Sequence, residues 1–167
     1  MYDLKDLLDR GERQARAVLL EKGEKSLCPM FLLVQPDDSV IVVGTPFEGD
    51  VQKQMVRAQL RSLMKNHGTV AYSFLCEAWA VKMNHLKPED VTHEDEGVIS
   101  VPMQRRPSED PNRIEVVSVL ATNGVENKYR MWEIKRDYKG KIRDLVLDCE
   151  VEGVMGPFGD LLTQGHA

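Results

Sequence analysis

Glu77 is the carboxylate with the least ordinary surroundings. It lies between Cys76, Ala78 and Trp79 in an otherwise apolar run. A buried carboxylate needs a hydrogen-bond donor or a cation, or its pKa rises. The expectation is a satisfied, half-buried ion pair with an arginine such as Arg113. The sharper alternative is a polar site used for binding or acid/base work. Cys76 has no base visible beside it, so a nucleophile is not expected there. A second group is cationic. Between Glu126 and Asp144 stand Lys128, Arg130, Lys135, Arg136, Lys139, Lys141 and Arg143, three more than the carboxylates of the same stretch. Tyr129, Trp132 and Tyr138 interleave with them. Cations beside planar groups can hold phosphates and stack bases. The same composition suits a protein contact or a plain exposed ribbon. Lys128, Arg130, Trp132, Lys135, Arg136, Lys139, Lys141 and Arg143 are therefore the candidate binding residues, and Arg105 and Arg113 would extend the patch.

Near the end of the chain Asp148, Glu150 and Glu152 share one strand parity, with consecutive members roughly 6.6 Å apart along the strand. Lys128, Arg130 and Arg136 have the matching parity on the preceding strand, and ion pairing across the sheet is the expectation rather than a metal site. The tripeptide Glu133–Ile134–Lys135 resembles the signature of metal-dependent nucleases, in which a lysine orients water beside metal-binding carboxylates. That resemblance implies a further upstream acid, for which Glu115 is the strand candidate, and it requires Glu115 and Glu133 to meet on one sheet face. The chain has no GxxxxGK[ST] loop, no GxGxxG, no HExxH and no GxSxG. The four histidines are scattered, and the three cysteines, Cys28, Cys76 and Cys149, form no CxxC pair. No metal centre, cofactor or disulfide framework is expected.

The elements that must position these groups read as follows. Leu4, Leu7, Leu8, Ala15, Val18 and Leu19 recur at helical spacing, with Asp3 as cap and Lys22–Gly23 as the end. Gly11 inside that helix costs about 1 kcal/mol against alanine. Strands over 30–35 and 40–44 flank a Pro36–Asp37–Asp38 turn. A second amphipathic helix runs from Asp50 to Asn66. A long strand over 70–83 is apolar on both parities, which predicts cover on both sides. A polar connection over 84–97 and a short strand over 98–103 follow. Three more strands are expected, from Arg113 to an Asn123–Gly124 turn, over 127–137, and over 142–152. Runs of consecutive strands predict an α+β fold: two amphipathic helices packed on one face of a mostly antiparallel sheet of about six or seven strands. Residues 1–152 form the domain. Residues 153–167 form a glycine-rich tail that is flexible or docks on a neighbour through Met155, Phe158, Leu161 and Leu162.

The chain has 167 residues, 42 % hydrophobic and 29 % charged, which suits one domain with an adequate core. Its net charge of −5 argues against nucleic acid wrapping the whole domain but not against a local basic patch. No apolar run approaches the ~18 residues of a membrane span, and the acidic MYDLKDLLDR start is not a signal peptide, so a cytoplasmic protein is the default. The functional expectation is a soluble, non-catalytic protein-interaction or assembly protein, either a homo-oligomer or a binder of another protein. Two alternatives stand beside it: nucleic-acid binding by the 126–144 hairpin, and a divalent-metal nuclease or hydrolase using Glu115, Glu133 and Lys135.

Overall fold

The computed structural model describes residues 2–47, 49–81, 92–93, 99–100, 110–153 and 161–162. Helix α1 (Leu4–Arg16) starts where the Asp3 carboxylate accepts the Lys5 N–H at 2.8 Å, and it runs on into a π-helical turn, Ala17–Glu21. Strands β1 (Met30–Val34) and β2 (Val40–Gly44) form a hairpin. Asp38 closes its turn at φ 66°, and the Asp37 carboxylate accepts from the N–H and hydroxyl of Ser39. Asp tolerates that left-handed backbone because its short polar side chain bonds locally. Helix α2 (Gly49–His67) leads to β3 (Ala71–Val81). A two-residue pair, β4 (Thr92–His93) and β5 (Ile99–Ser100), precedes the meander β6 (Arg113–Thr122), β7 (Asn127–Arg136) and β8 (Ile142–Glu152). The main sheet has six strands in the order β2-β1-β3-β6-β7-β8, every neighbour antiparallel. The α+β expectation is thus met, with β4 and β5 set apart from the main sheet.

One expectation is corrected: the helices cover opposite faces. Leu7, Leu8, Ala15 and Leu19 pack with Leu32, Leu75, Val117, Val119, Trp132 and Leu145. Leu60 and Met64 of α2 pack with Phe31, Leu33, Tyr72, Phe74 and Leu120. Adjacent residues of β1 therefore serve different cores, as the period-2 geometry of a strand requires. The topology supplies the cause. β2 and β3 both run antiparallel to β1, hence parallel to each other, so the link between them is a crossover rather than a hairpin. That crossover carries α2 over the face left free by α1. Gly11 is explained by the same packing. A Cβ there would lie 2.7 Å from Val119 Cγ1, so the glycine lets the helix approach β6.

The C-terminal segment also departs in part from expectation. Leu161 is buried in the second core of its own chain and donates its N–H to the Tyr72 hydroxyl at 3.3 Å. Leu162 abuts Gly124, whose φ of +83° and lack of a Cβ both suit the turn. These two leucines are anchored on their own body rather than on a neighbour. Met155 and Phe158 lie outside the described residues.

Candidate functional site

The basic hairpin is divided by strand alternation. Trp132 is 1 % exposed, in the core under α1. Arg130 lies on the same face and is almost covered; its guanidinium binds Asp9 at 2.7 Å and Glu150 at 2.7 Å, with Glu12 at 3.5 Å. It joins α1 to β8. Trp132 and Arg130 are therefore removed from the candidate recognition surface, because inward parity and α1 cover them. Lys128 pairs with Glu152 at 2.8 Å, so two of the expected cross-strand ion pairs form. Arg136 does not join them. A register shift between Lys135 and Arg136 interrupts the ladder to β8, and Arg136 instead grips Glu115 with two bonds of 2.6 Å. Its remaining donors reach the carbonyls of Gly140 and Lys25 at 3.0 and 3.3 Å. Lys135 pairs with Glu133, and Arg143 with Asp137 at 2.7 Å. Around the β7–β8 turn, Lys139 sits over the ring of Tyr138, itself 91 % exposed, and the Lys141 N–H donates to Asp137. What stays at the surface is a small turn cluster, most of whose cations already have partners.

The nuclease-like arrangement is not assembled. Glu115 is opposite Trp79 on β3, whereas Glu133 is opposite Val116 on β6. Neighbours in sequence point to opposite faces of a strand, so Glu115 and Glu133 lie on opposite faces. The two polar groups of the resemblance are each held by a different partner, Arg136 and Lys135. No group of three His, Cys, Asp or Glu among the described residues is placed to hold a metal ion.

Glu77 has a structural partner other than the one expected. Its carboxylate accepts the Leu27 N–H at 2.7 Å, while Arg113 stacks over the Trp79 ring at 4.9 Å. Burial pushes the Glu77 carboxyl above its ordinary value; the Leu27 N–H opposes this, the nearby Glu115 charge adds to it, and Arg136 opposes it. Glu77 and Arg136 together pin the 22–29 loop to the sheet. Cys76 lies 3.3 Å from the Ser118 hydroxyl, and burial holds its thiol protonated, which suits packing rather than nucleophilic attack.

A different feature stands out once the sheet is built: the β2 edge. Gln35 N–H donates to Ser39 C=O, and Thr45 N–H donates to Pro29 C=O. With the β1–β2 register, these bonds fix the phase of the strand: Ile41 and Val43 bond inward to β1, and Val40, Val42 and Gly44 turn their N–H and C=O outward. Among the described residues no backbone group pairs with that outer row. The strand carries no charge, and Val42 is 54 % exposed. Beside the edge a cleft of about 350 Å³ runs between β2 and α2, lined by Val43, Pro46, Val56, Gln59 and Leu63 among others. Met55, 59 % exposed, follows on that flank of α2. In the sequence alone β2 reads as half of a hairpin. Its signal was present in the uncharged VIVVG run, but only the strand order shows that this run is an edge.

No protein-family model, curated protein or solved structure matches the chain. Among the described residues no helix is long and apolar enough to cross a membrane. The chain is an α+β domain whose described residues assemble no metal cluster.

Proposed function

We propose that the protein is a non-catalytic interaction module that docks by strand addition at the edge of β2. The observation that carries this reading is the outward row of Val40, Val42 and Gly44 on a strand with no charge. Native proteins guard exposed edges with charges, prolines or bulges, because an open row of N–H and C=O groups is a template for another strand. An edge left without those devices is kept for pairing. Main-chain bonds would supply affinity, and side chains entering the cleft beside α2 would supply selectivity. The reading places no reaction at Glu77 or Cys76.

The test uses a fluorescein-labelled, lysine-tagged peptide of alternating Thr and Val as a generic extended strand. The expected result is saturable binding by anisotropy that Val42→Pro weakens at least tenfold. Proline at 42 removes an outward donor and leaves the bonds to β1 in place. Equal binding by Val42→Pro and the unchanged chain overturns the reading, as does absence of binding by a chain that sediments at its single-chain mass.

A further inference from the structure

We infer that the occupant of the β2 edge is a second copy of this chain, paired with it antiparallel about a two-fold axis at Val42. The inference rests on the docking reading above and adds the partner. The outer edge of β2 is complementary to itself. A two-fold centred on Val42 places Val42 against Val42 of the copy, and Val40 against Gly44. All three positions have the same outward phase, so each pair exchanges both of its N–H···O bonds, as directly opposed residues of an antiparallel ladder do. An isologous contact needs a patch that matches itself, and this strand does.

Charge favours the same antiparallel register. The acidic Asp37–Asp38 turn precedes β2. In the antiparallel register Asp38 of one copy falls opposite Pro46 of the other, and Asp37 opposite Phe47, so no carboxylate faces its equivalent. A parallel pairing would stack both aspartates on their own copies. Asp38 is in addition paired to Arg10 at 3.4 Å, and Asp37 is held by Ser39.

Apolar surface flanks the seam on both faces. Antiparallel partners share a face, so the exposed Val42 side chains meet on the α1 side of the seam. On the other side the two α2 helices flank the seam, each bringing an exposed Met55 and the cleft edge at Pro46. The opposite edge of the sheet, β8, carries Arg143, Asp144, Asp148, Glu150 and Glu152 and has register shifts against β7. Pairing through β2 thus consumes the uncharged edge of the main sheet and leaves the charged β8 edges at the two ends. Assembly closes at two copies and one continuous sheet instead of growing into a fibre.

The experiment combines mass with register. Sedimentation equilibrium is expected to show a doubling of the 19.0 kDa chain mass, lost in Val42→Pro. In a Cys28→Ser background, which removes the exposed native thiol, Val42→Cys is expected to form a disulfide-linked dimer under mild oxidation. Val40→Cys is expected to form none, since positions 40 of the two copies lie about 13 Å apart by strand rise. Efficient crosslinking at 40 instead of 42 overturns the two-fold at Val42. A single-chain mass at every concentration up to about ten times that used for the peptide assay overturns the second copy. In that case peptide binding sensitive to Val42→Pro still upholds the docking reading, whereas loss of both results removes the two together.

Discussion

The two edges of the main sheet are built on opposite plans. β8 is eleven residues long, carries Arg143, Asp144, Asp148, Glu150 and Glu152, and breaks register with β7 at two places. Its carboxylates are tied back to the body: Glu150 to Arg130, Glu152 to Lys128, and Asp144 to Arg16 at 3.3 Å. β2 is five residues long, uncharged and in continuous register with β1. Bulges and charges obstruct the approach of a foreign strand, and β8 has both. β2 has neither, although the same chain shows that the devices are within its repertoire. The asymmetry separates a terminated edge from an available one.

The sharpest way to break this comparison is a pair of prolines one residue apart on β2. Val43→Pro removes a bond to β1 and a side chain facing the α2 core, and is expected to cost about 3 kcal/mol or more. Val42→Pro removes only an outward donor and is expected to stay within about 1 kcal/mol of the unchanged chain. Urea denaturation of the separated chains, in dilute protein, reads the difference. Equal losses would show that position 42 is paired inside the molecule.

On the guarded side, Arg130→Ala is expected to cost about 3 kcal/mol, because it leaves Asp9 and Glu150 facing each other with the buried cation gone. A change below about 1 kcal/mol by the same measurement would mean that β8 is not anchored through this cluster.

Between the edges, Glu77 supplies a test whose sign depends on pH. Its carboxyl is raised in the folded chain, so the folded state holds the proton more firmly than the unfolded state does. That contribution is fully present below the unfolded value of about 4.3 and is lost as pH rises through the folded value. Glu77→Gln keeps an acceptor for the Leu27 N–H and removes the titration. The variant should therefore gain stability relative to the unchanged chain between pH 4 and pH 7, about 1 kcal/mol at most; a relative loss would reverse the assignment. The smallest effect belongs to Lys128→Ala at the start of β7, opposite the last residue of β8. Its pair with Glu152 is exposed, and no resolvable change in Tm is expected.

Much of this architecture was legible in the residues. The capping aspartate, the Pro-Asp-Asp turn and the alternation of β8 each carry a local signal that fixes an element. Parity sets Lys128 and Arg130 against the β8 carboxylates as a group, without saying which pairs with which. Arg136 escaped that logic because the register shift beside it is a property of two strands together. Trp132 and Arg130 were grouped with the basic hairpin by composition, which overlooks the alternation that turns them under α1. The donor to Glu77 is a backbone N–H fifty positions away, and no spacing rule reaches it. Amphipathicity showed that each helix has an apolar face but not which side of the sheet receives it; the β2–α2–β3 crossover decides that. The open edge was hidden for the same reason, since strand order is a long-range fact.

Residue-resolved amide exchange along β2 tests the account most directly. In dilute protein, Ile41 and Val43 should exchange slowly while Val40, Val42 and Gly44 exchange close to the unfolded rate. Raising the concentration should slow the second set and leave the first unchanged. Equal protection of both sets at every concentration would show that the edge is already covered within one chain, and would contradict the account.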